Sequence, residues 1–171
     1  MKELVMKVIV AGEPGSGKSV ISQVNDACIS LRPLGVSIGL KSIPDKEQQC
    51  NLTFTTWTLT KGRPKDTTYL QGSKAAIICA DLTKIKTIKK MRSWAKSIRK
   101  GVGDIPLIFV GNNVTDAEGG NVDLILKIAK SYDSPVVLTR LDDRASIEEV
   151  FLQVVKAVRG SVKEDSKICG T

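Results

Sequence analysis

Short apolar runs alternate with amphipathic segments along most of the chain. Residues 75–80 and 107–110 are continuous apolar runs, and residues 4–10 are apolar apart from Lys7, which is typical of strands buried on both faces of a parallel sheet. Apolar residues at helical spacing follow within residues 84–100 and again after residue 146. The alternation predicts an α/β domain in three layers, with a mostly parallel six-stranded sheet, one antiparallel edge strand and helices on both faces.

The weaker segments complete this pattern. We expect helices over residues 18–28 and 121–130, strands over 40–43, 51–58 and 135–139, and loops over 30–39 and 59–68. The sequence Ser146-Ile147-Glu148-Glu149 matches a capping box and predicts the start of the last helix. Residues 1–160 are expected to form one domain and residues 161–171 a flexible tail.

A phosphate-binding motif follows the first predicted strand. Residues 12–19 read Gly-Glu-Pro-Gly-Ser-Gly-Lys-Ser, a full G-x-x-x-x-G-K-[ST] pattern that leads into a predicted helix. Its glycines let successive N–H groups point at phosphate oxygens, and the helix N-terminus adds positive charge. We expect Lys18 to lie between β- and γ-phosphates and Ser19 to offer its hydroxyl to Mg²⁺. The predicted phosphate contacts are Glu13, Pro14, Gly15, Ser16, Gly17, Lys18, Ser19 and Val20.

Composition narrows the class of protein. A chain of 171 residues that is 42% hydrophobic is long enough for one well-packed core. Its four cysteines lack zinc spacing and it has no histidine, which argues against structural zinc and fits a reducing setting. The chain has no apolar stretch of transmembrane length, no signal peptide, and no prenylation motif at Cys169. We therefore expect a cytoplasmic protein that reaches membranes only through partners.

Much of the positive charge is concentrated in one segment. The net charge is +8, and residues 84–100 contain eight lysines and arginines at a spacing that leaves an apolar stripe. One interpretation is an amphipathic helix with a solvated basic face. The other is a docking face for an acidic protein, anionic lipid or nucleic acid. Because no aromatic residues alternate with the charges for stacking on bases, we expect no specific nucleic-acid binding.

Taken together, five segments resemble the small GTPases of the Ras superfamily, and their sequences are most similar to those of the Rab branch. The segments are residues 12–19, 75–83, 91–99, 104–113 and 146–151. The resemblance extends over about residues 4–159. It implies a P-loop G domain that binds guanine nucleotide and Mg²⁺, and that contacts protein effectors or regulators.

The resemblance assigns base recognition to two loops. In the place of the family's N-K-x-D box stands Asn113-Val114-Thr115-Asp116, where Asp116 would accept from the N1–H and amino groups of guanine. Asn113 would tie this loop to the phosphate loop or reach the base. The family's S-A-K box is replaced by Arg140-Leu141-Asp142, where Arg140 or Leu141 would supply a backbone N–H. An alternative is that Asn113 and Asp116 are ordinary turn residues.

The two switch segments depart further from the family. Ser37-Ile38-Gly39 matches the first switch with a serine, so Ser37 would join Ser19 as a Mg²⁺ ligand and sense the γ-phosphate. No D-x-x-G box follows the third strand, because alignment puts Thr56 at the aspartate and Leu59 at the glycine. The glutamine that orients the attacking water is also missing.

These departures predict nucleotide binding with slow intrinsic GTP hydrolysis, in which Lys18 and Ser37 act on the γ-phosphate. Arg63 and Arg32 are candidates for stabilising charge in the transition state. The main hypothesis is therefore a GTP/GDP switch. The alternatives are a pseudo-GTPase interaction module that does not cycle efficiently, and a P-loop ATPase or small kinase.

Overall fold

A seven-stranded sheet separates two layers of helices. The computed structural model describes the backbone of residues 2–22 and 27–168, and the side chains of residues 3–21, 27–31 and 33–161. The strands are β1 (Lys2–Ala11), β2 (Ala27–Leu31), β3 (Val36–Asp45), β4 (Cys50–Leu59), β5 (Ala75–Asp81), β6 (Leu107–Asn112) and β7 (Val136–Leu138). The helices are α1 (Lys18–Ser22), α2 (Ile85–Lys89), α3 (Met91–Val102), α4 (Gly119–Ser131) and α5 (Arg144–Ile168).

The order of the strands is β2-β3-β4-β1-β5-β6-β7. Strands β4, β1, β5, β6 and β7 are parallel, whereas β3 is antiparallel to both β4 and β2. The predicted α/β fold with a mostly parallel sheet is confirmed. The sheet has one strand more than the six expected, because β2 extends the antiparallel edge.

The two faces of the sheet carry separate cores. On one face, α1 and α5 cover residues such as Val10, Phe54 and Ile77. On the other face, α2, α3 and α4 cover residues such as Ile9 and Phe109. Since residues 8–11 of β1 and residues 75–80 of β5 are buried, these stretches are apolar without alternation, as predicted, whereas Leu4 and Val5 near the start of β1 are exposed.

The segment after α1 differs from its prediction. Ala27 and Cys28 belong to strand β2 and not to the first helix, and residues 30–39 are largely strand and not loop. Strand β2 pairs with β3 from Ala27↔Leu40 to Leu31↔Val36. Residues 27–30 are exposed along this edge, so backbone pairing rather than a hydrophobic pattern holds β2 in place.

The last helix begins earlier and ends later than predicted. It starts at Arg144, and Asp143 caps it by accepting from the Ser146 N–H at 3.3 Å. The Ser146 hydroxyl donates to the Asp143 carbonyl, so the predicted capping box is wrong. Helix α5 continues to Ile168 through part of the predicted tail, and residues 169–171 lie outside the described residues.

The basic segment forms two helices joined at Lys90. Its apolar stripe, including Met91 and Trp94, is buried, and most of its lysines are exposed, as predicted. Gly103 ends α3 with φ of 112°, a value that favours glycine. No helix among the described residues is long and apolar enough to cross a membrane.

Candidate functional site

The phosphate loop, residues 12–19, leaves the carboxyl end of β1 and enters α1. Gly12, Gly15 and Gly17 have φ of 149°, 78° and 87°, conformations that side chains rarely adopt. A β-carbon at Gly12 would lie 2.5 Å from the Cys79 carbonyl oxygen, so β5 also requires glycine there. The loop is therefore shaped by its glycines into a cradle of backbone groups.

Lys18 already lies against the loop that it would serve. Its Nζ donates to the Gly12 carbonyl at 2.6 Å and to the Glu13 carbonyl at 3.1 Å. Burial lowers the pKa of Lys18, although Cys79 and Glu13 oppose this change by favouring the charged ammonium. An ammonium held in this way can donate to a phosphate oxygen without a large rearrangement of the loop.

The other predicted phosphate contacts have different surroundings. Pro14, Gly15 and Ser19 are exposed at the mouth of the loop, where a ligand can reach them. Ser16 is fully buried, and its Oγ has no hydrogen-bond partner among the described residues. Val20 packs into the core, and its N–H donates to the Gly17 carbonyl, so Val20 has a structural role here.

Asn112 joins the phosphate loop to the next strand ends. It is the last residue of β6, and its side-chain amide donates to the Ser16 carbonyl at 2.8 Å and to the Gly17 carbonyl at 3.3 Å. Its Oδ1 accepts from the Thr139 hydroxyl beyond β7. Asn112 is 1% exposed, so this junction is fixed inside the protein.

A small pocket lies beside this junction. Its volume is about 250 Å³, and it brings together four of the predicted site residues. The lining residues are Asn113, Thr115, Asp116, Arg140, Leu141 and Asp142. The structure thus places both predicted base-recognition loops at one position, at the carboxyl end of the sheet.

The tie to the phosphate loop is made by Asn112, not by Asn113. Asn113 instead has a left-handed backbone, with φ of 59°, and its side chain helps to lower the pKa of Asp81. Counted from Asn112, the carboxylate position of N-K-x-D falls on Thr115, with Asp116 one residue further. In sequence only Asn113 has an aspartate at the required spacing, whereas in the structure Asn112 holds the position at the end of β6 that contacts the phosphate loop.

In the second base loop, residues 140–142, the backbone N–H of Arg140 is already used in a hydrogen bond within the protein. The N–H of Arg140 donates to the Ser146 hydroxyl at 3.2 Å, and its guanidinium lies 3.3 Å from an Asp143 carboxylate oxygen. A backbone contact to a base therefore falls more naturally to Leu141, which is exposed at the pocket.

Ser37 lies within a strand and not in a loop. In β3 it pairs with Thr58 of β4 and Ser30 of β2, and its Oγ is 3.0 Å from the Cys28 Sγ. Thr58 pairs in turn with Val10, two residues before the phosphate loop, whereas Thr56 pairs with Val8. Of these two threonines, Thr58 therefore lies nearer to that loop, and no carboxylate stands at either position.

One further contact involves the phosphate loop. The Trp94 indole N–H in α3 donates to the Glu13 carboxylate at 2.9 Å, a tie that the sequence pattern did not reveal. Arg63 is exposed within the irregular segment between β4 and β5, and the side chain of Arg32 lies outside the described residues.

The side chains around the phosphate loop limit how a metal ion could bind there. No cluster of three or more His, Cys, Asp or Glu side chains suited to a metal occurs among the described residues. Hydroxyl oxygens, such as that of Ser19, are hard ligands that suit Mg²⁺ only when phosphate oxygens and water complete the shell. The residues fit a metal that arrives with a nucleotide.

Comparison with known proteins identifies the family. The family model described as the Ras family matches residues 7–160, nearly the whole domain. The chain belongs to the Ras family. It is a Rab-like small GTP-binding protein of the switch type, in a family that binds GTP and GDP, typically with Mg²⁺, and engages effectors.

Several Rab proteins are among its relatives. Ras-related protein RabC of Dictyostelium discoideum is 28% identical over 123 residues, covering 67% of this chain and 62% of RabC. Ras-related protein RabQ of the same organism is 28% identical over 181 residues, covering 96% of this chain and 84% of RabQ. Ras-related protein SEC4 of Saccharomyces cerevisiae is 21% identical over 175 residues, covering 97% and 80% of the two chains.

Proposed function

We propose that this Ras-family protein binds GTP and GDP with Mg²⁺ and acts as a switch with slow intrinsic GTP hydrolysis. The hydrogen bond from Asn112 to the Ser16 carbonyl, at 2.8 Å, carries this proposal. It joins the loop that holds Lys18 to the pocket that contains Asp116. A nucleotide has a polyphosphate at one end and a base at the other, and these two sites match its two ends.

Guanine is the base that this pocket suits best. A carboxylate at Asp116 accepts from both the N1–H and the amino group of guanine, an arrangement that adenine does not offer. The Leu141 N–H is the backbone donor proposed for the guanine oxygen. The hydroxyl of Thr115, which stands at the carboxylate position counted from Asn112, supports a weaker contact with the same edge of the base.

The phosphate end relies on the residues of the loop. Lys18 neutralises charge between the β- and γ-phosphates, and Ser19 gives its hydroxyl to Mg²⁺. Ser37 is the proposed second hydroxyl ligand. For its Oγ to face the metal it must leave the Cys28 thiol, so the β2–β3 edge is the proposed moving part of the first switch.

We expect slow hydrolysis because the residues at the end of β4 and just after it lack two side chains that promote hydrolysis in the family. Thr58 and Thr60 supply no carboxylate to organise the metal-bound water, and residues 60–68 contain no glutamine to orient the attacking water. Ras itself hydrolyses GTP at a rate on the order of 10⁻⁴ per second without an activating protein. We expect single-turnover phosphate release from this protein to be no faster than that, and a clearly faster rate would contradict the proposal.

Calorimetry on the full chain tests the binding proposal. GDP and GTP should bind with Mg²⁺, and Lys18→Ala should abolish both events. Asp116→Ala should weaken guanine nucleotides at least tenfold, whereas Asp142→Ala, in an exposed acid of the same pocket, serves as the matched control. Binding of ATP that is equal to binding of GTP, and insensitive to Asp116→Ala, would favour an ATPase.

A second candidate is an interaction module that holds nucleotide without cycling. The position of Ser37 within a paired strand favours it, because a strand residue cannot sense the γ-phosphate unless the sheet edge opens. Ser37→Ala distinguishes the two. In a switch it weakens GTP binding with Mg²⁺ more than GDP binding, whereas in a non-cycling module both nucleotides are affected alike.

A further inference from the structure

A second ammonium, that of Lys84, lies beside the phosphate loop. Lys84 follows β5 and precedes α2, and a β-carbon added at Gly15 would lie 3.3 Å from its Nζ. Gly15 is exposed at the mouth of the loop. The charge of Lys84 therefore stands at the outer wall of the loop, where no motif in the sequence predicts a lysine.

A buried carboxylate fixes the position of this ammonium. The Oδ2 of Asp81 lies 3.5 Å from Lys84 Nζ, and the Asp81 side chain is only 8% exposed. Its Oδ1 accepts from the Thr83 N–H at 2.9 Å and from the Thr83 hydroxyl at 2.6 Å. Burial by itself would raise the pKa of Asp81. The interactions with Thr83, Asn113 and the charged Lys84 outweigh burial and lower this pKa below its ordinary value, so the carboxyl is ionised at neutral pH.

The same carboxylate contacts the base pocket. The Asn113 side chain favours the ionised form of Asp81 and lowers its pKa, and Asn113 lines the pocket with Asp116. Asp81 thus interacts with Lys84, whose ammonium lies beside Gly15, and with Asn113 of the base loop. Counted from Asn112, Asn113 stands where the N-K-x-D box has its lysine, so the box itself supplies no ammonium here.

We propose that Lys84 is a positioning residue for the bound nucleotide: its ammonium, held by Asp81, braces the outer side of the phosphate loop against the base loop and slows nucleotide release. This inference rests on the proposed function. The Lys84 side chain is 58% exposed, so solvent screens its charge and the effect is modest.

Dissociation of a fluorescent GDP analogue from the full chain, chased with excess GDP, tests the role of Lys84. Lys84→Gln keeps a polar side chain, one atom shorter, and removes its charge, and it should speed release roughly twofold to fivefold. Lys84→Arg should restore slow release. Lys86→Gln removes another exposed lysine, two residues further along the chain, and should leave release unchanged. Melting temperatures of all variants should remain close to that of the unmodified protein.

A double-mutant cycle shows whether Lys84 acts through Asp81. Asp81→Asn keeps an oxygen for Thr83 but loses the charge that holds Lys84. If the two residues act as one unit, the double variant releases nucleotide no faster than the quicker single variant. Additive effects, an unchanged rate in Lys84→Gln, or an equal effect of Lys86→Gln would each overturn the proposal.

The test also separates this inference from the function on which it rests. Failure of the unmodified protein to bind GDP, or retention of GDP by Lys18→Ala, would overturn the proposed function and this inference together. Loss of GDP in Lys18→Ala with normal release from Lys84→Gln would overturn the role of Lys84 alone.

Discussion

The side-chain amide of Asn112 donates to the backbone carbonyl of Ser16 at 2.8 Å, across two loops that are 96 residues apart in sequence. Because Asn112 is buried, its removal leaves the Ser16 carbonyl without this donor in the interior. We predict that Asn112→Ala lowers the free energy of unfolding by about 1–3 kcal/mol. It should also weaken GDP binding at least tenfold, as measured by calorimetry.

Asn113→Ala is the matched control for this prediction. It removes the neighbouring amide, which contacts Asp81 and not the phosphate loop. Its effect on unfolding should be smaller than that of Asn112→Ala. If the two variants were equally unstable in urea, the assignment of the tie to Asn112 would be wrong.

The contact between Trp94 and Glu13 should report nucleotide binding. Trp94 is 1% exposed, and its indole N–H is 2.9 Å from a carboxylate of the phosphate loop. A bound polyphosphate changes the charge near that indole, so we predict a change in tryptophan fluorescence upon addition of GDP. The chain has two tryptophans, so Trp57→Phe should retain the change and Trp94→Phe should lose most of it. An unchanged response in Trp94→Phe would contradict the prediction.

Two cysteines should differ sharply in their reactivity. Burial raises the pKa of Cys79 to about 12, whereas the Cys28 thiol is exposed on β2. At pH 8 in the folded protein, iodoacetamide should modify Cys28 and leave Cys79 intact, as measured by peptide mass spectrometry. Modification of both residues at equal rates would show that the core around β5 opens readily.

The buried Cys79 thiol also makes stability depend on pH. In the unfolded chain this thiol ionises near its ordinary value of 9.0, below its value in the folded protein. The unfolded state therefore loses its proton first as the pH rises, and stability falls above about pH 9. Cys79→Ala should reduce this alkaline loss, measured from urea unfolding between pH 8 and pH 10.

The ion pair between Lys41 and Glu148 connects the sheet edge to α5. Lys41 is 5% exposed, and its Nζ lies 3.4 Å from the Glu148 Oε1. Glu148→Ala leaves a buried ammonium without its carboxylate and should lower the free energy of unfolding by about 1–3 kcal/mol. Lys41→Met removes the charge and keeps the volume, so it should cost less. Glu149→Ala, one residue further, controls for the loss of a helical glutamate, and a larger loss in Lys41→Met would reverse this interpretation.

Much of the parallel sheet could be read from the sequence because its strands are buried on both faces. Apolar runs such as 75–80 have no polar partner face, so burial alone specifies them. Strand β2 could not be found in this way. Residues 27–30 are exposed, and this strand exists because its backbone groups pair with those of β3.

Parts of the candidate site could likewise be predicted from the sequence, and other parts could not. Local geometry specifies the phosphate loop, because the glycine spacing, Lys18 and Ser19 lie within eight consecutive residues. The positions of the residues in the base loop depend on which of two adjacent asparagines ends β6. The local sequence does not determine where this strand ends. The contacts of Trp94 and Lys84 with the loop join distant segments, so no spacing in the sequence could predict them.

By itself, therefore, the sequence determined the α/β fold, the phosphate loop and the missing carboxylate after β4, since each depends on residue types at short, fixed spacing. The tertiary structure decided that Asn112 makes the tie to the phosphate loop, that Ser37 lies in a paired strand, and that Lys84 stands beside Gly15. Those three facts depend on which strand ends meet at one edge of the sheet, and only the packed chain brings these ends together.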